Sequence, residues 1–219
     1  MGSCFAEHLS VRQLACGASA NHYHASMERL TQQLAFVLEL NKLKTVLRHT
    51  ELADSSRREN TAEHSWHAAL MALLLAEHAN EPIDASKAAK MLLVHDVVEI
   101  DAGDTLLYDE KGNIDKQERE QKAADRLFGL LPPDQAQELR AVWDEFEAAE
   151  SPEAKYAHAI DRFAPCMLNL ASNGSAWAKN GIRYEQAYAK NAKIGDGSLV
   201  LWEQAQTILK RARIEGFLK

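Results

Sequence analysis

Cysteine is scarce in this 219-residue chain, which carries only Cys4, Cys16 and Cys166. An odd count with no C-x-x-C pair excludes a disulfide framework or a zinc ribbon and makes a reducing cytoplasm the expected compartment. Proline (five) and glycine (ten) are also few, so helices can run long. Alternating strand patterns are nearly absent. The longest apolar run, AALMALLLA at 68–76, falls well short of the ~20 residues a membrane helix needs. No signal-peptide pattern opens the chain, so no membrane association is expected. Positive charge is in deficit too: 25 Lys and Arg against 32 Asp and Glu leave a net charge of −7. That argues against a nucleic-acid polymer as partner, because such proteins show a basic face. A small phosphorylated molecule needs only one or two basic residues and stays possible.

What is present is an ordinary soluble composition, 46% hydrophobic and 26% charged, in a length that suits one domain with a sizeable core. Residues 1–26 show no sustained period and are read as an N-terminal extension, with the functional start placed at Met27. A single domain is expected over 27–219. MERLTQQLAFVLELNKLK sets Leu30, Leu34, Val37, Leu38 and Leu40 largely on one stripe and predicts an amphipathic helix. RHTELADSSRREN reads as a polar loop. Asn60 followed by Glu63 forms a capping-box pattern that opens the next helix, and Asn80 with Pro82 ends it. Asp84 is the expected N-cap of a helix running to about Ile100. Further helices are expected over 115–130, 134–149, 152–172, 183–193 and 198–215. The fold class is all-α, a compact bundle of roughly six to eight helices.

The stretch LLVHDVVEIDAGDT, 92–105, puts His95, Asp96 and Glu99 into an otherwise apolar helical run. Glu99 lies i+4 from His95 and i+3 from Asp96, so all three share one patch of a helix. A single buried histidine is commonly satisfied by a carbonyl. Two acids beside one are harder to accommodate, because an unpaired buried carboxylate costs several kcal/mol. The stretch brings no Lys or Arg, and a metal ion would resolve the electrostatics. Further ligands should come from polar residues on apolar helix faces. His64, in the first turn of a helix, and Asp161, within YAHAIDRFAPCM, fit that description. Pro165 lacks the amide that would bond the Asp161 carbonyl, which loosens that turn. Two histidines and two carboxylates suit a divalent ion such as Mn, Co, Fe, Ni or Zn, with Mg also open.

These residues carry a resemblance. AEHS…HDVVE…D resembles the H…HD…D signature of the HD-domain superfamily of metal-dependent phosphohydrolases. LKTVLR, ENTAEHSWHAA, LLVHDVVEIDAGDT and WDEFEAAESPEAKYAHAIDR, spread over about 30–165, resemble its 5′-deoxynucleotidase subgroup. The resemblance implies His64, His95, Asp96 and Asp161 as metal ligands and Glu99 as the water-activating acid. It also implies a further acid at Asp104 and a phosphate-contacting arginine at Arg48, with Arg57 and Arg58 as competitors. One metal ion is expected, because the two-metal members need additional histidines after the HD pair and only His158 follows His95 here.

The implied activity is hydrolysis of (deoxy)nucleoside 5′-monophosphates to nucleoside and phosphate by a cytoplasmic homodimer. The competing readings are an HD phosphohydrolase for a cyclic nucleotide or other small phosphate ester, and a non-catalytic metal-binding module. Intact Glu99 and Asp104 speak against the module. His67 is expected on a pocket wall or behind the ligands, His158 on the helix surface or behind them, and His49 and His78 at the surface. Trp66, Trp143, Trp177 and Trp202 are expected in the core or an interface. Exposed Leu199, Leu201, Trp202 and Ile208 are expected to contribute to dimerisation.

Overall fold

The computed structural model describes the backbone of residues 5–219 and the side chains from residue 22 onward; Cys4 and the side chain of Cys16 lie outside the described residues. Helix α1 (Phe5–Leu40) passes straight through the expected boundary at residue 26, so the N-terminal extension is helical from Phe5. A short 3₁₀ turn (Asn41–Thr45) leads into strand β1 (Leu47–Glu51), which pairs antiparallel with β2 (Arg58–Asn60). Helices α2 (Thr61–Leu74), α3 (Ala85–Val94), α4 (Glu99–Ala102), α5 (Lys116–Phe128), α6 (Pro133–Ala148) and α7 (Pro152–Ala171) follow. The chain closes with α8 (Ser175–Lys179), α9 (Tyr184–Asn191), α10 (Ile194–Gly197) and α11 (Leu199–Ile214). Eight of these described helices reach eight residues or more, as the all-α expectation required.

Local signals explain most boundaries. Asn60 and Glu63 form a reciprocal capping box on α2, and Asp84 accepts the amides of Ser86 and Lys87 at the start of α3. Ser151 and Ser198 cap α7 and α11 through their hydroxyls. Two expectations fail. The polar loop over RHTELADSSRREN is instead a hairpin, whose inward residues Thr50, Glu51 and Glu59 are buried polar groups that give no hydrophobic alternation. The helix expected to run from Asp84 to Ile100 tightens into a 3₁₀ turn over His95–Val98 before α4 resumes.

Helix α7 is the spine of the larger core. Tyr156, Ile160, Ala157 and Ala164 are fully buried on it, against α2, α3, α10 and α11. The Tyr156 hydroxyl donates to the Ala72 carbonyl at 3.1 Å, tying α7 to α2. Where α10 crosses α7 the backbones touch: a Cβ on Gly197 would overlap the Lys155 carbonyl and stand 2.7 Å from Tyr156 Cα. Asn80 pins the same crossing, donating to the Gly195 carbonyl at 2.8 Å and accepting the Leu199 amide at 2.8 Å. A second cluster, centred on Leu127, Phe128, Val98 and Trp143, binds α5 and α6 to the end of α3 and to Phe36 of α1. Leu201 and Ile208 belong to the main core and Trp202 packs on Tyr188, so of the four expected interface positions only Leu199 is exposed. Trp143 and Trp177 are core residues, whereas Trp66 is 63% exposed and so outside the core.

Candidate active site

Four segments distant in sequence meet at one end of a cleft of about 320 Å³. Helix α2 presents His64, the 3₁₀ turn after α3 presents His95 and Asp96, α7 presents Asp161, and β1 reaches over with Arg48. His64 is fully buried and His95 4% exposed. His64 Nε2 stands 2.9 Å from Asp161 Oδ1 and 3.9 Å from Asp96 Oδ2. His95 Nε2 stands 3.1 Å from Asp96 Oδ2 and 3.5 Å from Asp161 Oδ1. One donor atom each from His64, His95 and Asp96 lies within 4.8 Å of the other two. The four residues singled out for a metal are therefore brought together.

The cluster fits a divalent ion on its own geometry. His95 Nδ1 donates to the Leu92 carbonyl at 2.8 Å, which leaves Nε2 facing the carboxylates. His95 Nε2 is buried and has no hydrogen-bond partner, although two carboxylate oxygens stand within 3.5 Å. Donor atoms ~2.1 Å from a shared ion stand about 3.0–3.4 Å apart at neighbouring positions, and three of the four pairs, at 2.9, 3.1 and 3.5 Å, are within 0.1 Å of that range. Electrostatics agree. Burial opposes charge on the His95 ring, yet Asp96 and Asp161 outweigh it and raise its pKa well above the ordinary value. Burial likewise opposes charge on Asp161, but the adjacent His64 and His95 rings hold its carboxyl well below the usual range. The carboxylates that favour a proton here would also favour a divalent ion, which has to displace that proton from His95 to bind.

The turn that carries His95 is itself anchored, because Trp143 Nε1 donates to the His95 carbonyl at 3.1 Å. Glu99 follows one turn later, 5% exposed, with Thr61 Oγ1 donating to its Oε2 at 2.8 Å. Burial, and then the neighbouring Asp96, push the Glu99 carboxyl well above the usual carboxylate range. Asp104 sits beyond α4 on the cleft wall. Arg48 occupies the centre of these acids. Its Nη1 lies 2.6 Å from Asp96 Oδ2, 3.7 Å from Asp104 Oδ1 and 3.9 Å from Glu99 Oε1. Burial disfavours its charge, but the surrounding carboxylates, Asp96 foremost, raise its pKa above the ordinary value. The patch thus has its cation from β1, 48 residues from Asp96, a partner that local sequence gives no sign of.

Arg57 and Arg58 are engaged elsewhere: Arg57 pairs with Glu63 at 2.5 Å, and Arg58 donates to the Leu47 carbonyl at 2.9 Å. Of the other histidines, His158 lines the cleft, stacked on Phe146 at 4.0 Å between ring centres. His49, expected at the surface, lines it too. His67 stacks on Trp66. Sequence reasoning passed over Thr61, Glu59, Lys116, Glu120 and Glu147. Lys116 and Glu120 face each other at 3.3 Å on the cleft wall. Beside them burial, and then Glu120, push the Glu147 carboxyl up to about 7. Tyr108, Pro165, Trp177 and Ile182 add apolar surface to the cleft wall, with Asn191 beside Tyr108.

A model of the HD domain matches residues 40–202, nearly three-quarters of the chain and every residue of the cluster. The chain belongs to the HD domain family. Among solved HD structures, a predicted metal-dependent phosphohydrolase from Magnetospirillum magnetotacticum MS-1 is 50% identical, with a TM-score of 0.83 over 87% of this chain and 95% of that one. A Pyrococcus horikoshii protein at 21% identity and a TM-score of 0.54 shares the fold. Among curated relatives, the bovine 5′-deoxynucleotidase HDDC2 is 33% identical over 48% of this chain and 49% of its own length. The human counterpart is 29% identical over 59% and 62% respectively. A 5′-deoxynucleotidase of Yersinia pestis is 26% identical over 70% of this chain and 83% of its own. The chain thus spans about half to three-fifths of the mammalian relatives it matches. Among the described residues, no helix is long and apolar enough to cross a membrane.

Proposed function

We propose that this protein is a metal-dependent phosphomonoesterase that hydrolyses nucleoside 5′-monophosphates, deoxyribonucleotides preferred, to nucleoside and phosphate. The observation that carries the proposal is the convergence of His64, His95, Asp96 and Asp161 beside a cleft lined by Arg48 and Glu99. The cleft is lined both by charged groups and by the apolar and aromatic side chains of Tyr108, Trp177 and Ile182, which suits a phosphate joined to a flat base. Relatives named 5′-deoxynucleotidase support the substrate class.

In this reading His64, His95, Asp96 and Asp161 hold one divalent ion. Such an ion, when bound, polarises a phosphoryl oxygen and lowers the pKa of water. Arg48 takes the phosphate charge through its guanidinium, exchanging part of its contact with Asp96 for the substrate oxygens. Glu99 is aimed by Thr61 and accepts the proton of the attacking water. Asp104, 3.7 Å from Arg48 Nη1, orients that guanidinium. The water oxygen bonds to phosphorus as the bond from phosphorus to the nucleoside 5′ oxygen breaks, and that oxygen departs on the nucleoside with a proton taken from solvent.

The same proposal includes a cytoplasmic setting, a single functional domain from Met27 onward and a homodimer. Exposed apolar side chains on α1 (Leu34, Val37) and α2 (Trp66, Leu73) give the dimer a surface to use, and light scattering tests it. The decisive assay measures phosphate release from ribo- and deoxynucleoside monophosphates with several divalent metals. Release from 5′-monophosphates, and none from cyclic nucleotides, is the expected result. Turnover of a cyclic substrate alone would assign a different phosphohydrolase, and no turnover with a bound metal would leave a binding module.

A further inference from the structure

Three buried polar atoms behind the cluster have no hydrogen-bond partner among the described residues, and they face one another: His64 Nδ1, Arg48 Nε and Glu59 Oε2. Glu59 lies on β2 and is 2% exposed. Its Oε2 is 3.6 Å from His64 Nδ1 and 3.9 Å from Arg48 Nε. Buried polar groups are almost always paired, so three such atoms at one point call for a joint explanation. Two are donors and the third is an acceptor with a lone pair for each. A shift of well under 1 Å would make both contacts hydrogen bonds.

We infer that Glu59 is the positioning residue shared by the first metal ligand and the phosphate-binding arginine. The inference rests on the metal and phosphate roles proposed above. A neutral His64 has two tautomers, and only the one protonated at Nδ1 leaves the Nε2 lone pair toward Asp161, Asp96 and an ion. That tautomer requires an acceptor behind the ring, and Glu59 is the group in place to supply it. On its other side the same oxygen faces the Nε edge of Arg48, whose Nη1 is held by Asp96 on the cleft side. The guanidinium is thereby suspended between two carboxylates, one that faces the substrate and one that does not. Because a single oxygen serves both groups, seating the ion on His64 and seating the phosphate on Arg48 draw on the same anchor.

The sign of the two effects separates positioning from simple charge. Loss of a negative charge should weaken cation binding and strengthen anion binding if Glu59 acted only through its field. Loss of an anchor should weaken both. Glu59→Leu retains volume and removes the acceptor. Affinity for Co(II) is read by titration on folded protein, and affinity for inorganic phosphate by calorimetry on the Co(II)-saturated form. We expect a ~10–100-fold loss of Co(II) affinity, the scale of a lost partner behind a metal-bound histidine, together with weaker phosphate binding. If Glu59→Leu does not fold, Glu59→Gln is measured in its place, with losses of about fivefold because a neutral amide accepts more weakly than a carboxylate. Unchanged Co(II) affinity, or phosphate bound equally or more tightly, overturns the inference. A wild-type protein that binds no Co(II) overturns the metal reading and this inference with it, whereas normal wild-type binding with unaltered variants overturns this inference alone.

Discussion

Arg48 and Asp96 are 48 residues apart in the chain and 2.6 Å apart across the cleft. A residue proposed to hold a metal ion is thus already paired with a guanidinium, so cation and arginine share one carboxylate. Removing Arg48 should have opposite effects on the two ligands. Arg48→Ala is expected to lower kcat/KM by ~10–100-fold, the scale of a lost charge-assisted contact. Affinity for Mn or Co should stay level or rise, because a competing positive charge has gone. Parallel titrations of metal and steady-state kinetics check both halves. A silent Arg48→Ala would move the phosphate role elsewhere in the cleft, with Lys116 the next basic group on its wall.

Glu99 is expected to separate chemistry from metal binding. It lies one turn past His95, with its carboxyl held by Thr61 rather than by the histidines. Glu99→Gln should keep a normal metal content while turnover falls by ~10²-fold or more, the usual scale of a lost general base. Elemental analysis beside phosphate release decides the matter. Full turnover in this variant would sink the proposed mechanism and leave the metal site standing.

Metal should also stabilise the fold, since its ligands come from α2, α7 and the turn after α3. At a hundredfold excess over Kd a ligand contributes ~2.7 kcal/mol. For a chain of this size that corresponds to a rise in Tm of roughly 5–10 °C. Calorimetry of the wild type with Co(II) and with a chelator is expected to show this difference. Asp96→Ala should abolish both the difference and the activity.

Glu147 gives a pH-dependent prediction. Its carboxyl is pushed up to about 7, from an ordinary 4.5, by burial and then by Glu120. The folded state therefore keeps a proton that the unfolded chain has released between those values. Stability contributed by this group is present below about pH 4.5 and is lost as pH rises toward 7. Glu147→Gln should remove that slope. At pH 8 it should be more stable than wild type by at most about 1 kcal/mol, because the side chain is exposed and water screens most of the shift, and at pH 4 no more stable. Thermal melts across pH on metal-free protein test this; equal slopes in the two proteins would refute it.

The parts of this site that were legible in sequence share a cause. His95, Asp96 and Glu99 stand out because acids in an apolar helical run need a reason, and His64 and Asp161 stand out for the same one. Arg48 had no such signal; only the family resemblance singled it out, because its partner is remote in sequence and its hairpin has polar residues on both sides. Glu59 was invisible for that reason as well, sitting in what reads as loop. The tightening at His95 was missed because no proline or glycine marks it within the run; its Trp143 anchor comes from another helix. Leu201 and Ile208 look like a free apolar stripe until α11 is laid against α7.

Gly197 has a consequence for how damage to this protein would be mapped. The contact of α10 with α7 at Lys155 and Tyr156 leaves no room for even a methyl group, and Asp161 projects from α7 less than two turns further on. Gly197→Ala must push α10 away or shift α7, and a shift of α7 carries Asp161 with it. A random screen for lost activity would therefore score Gly197 beside the metal ligands, although it touches none of them. Restoration would come from sites along the α7–α10 seam, not from the cleft.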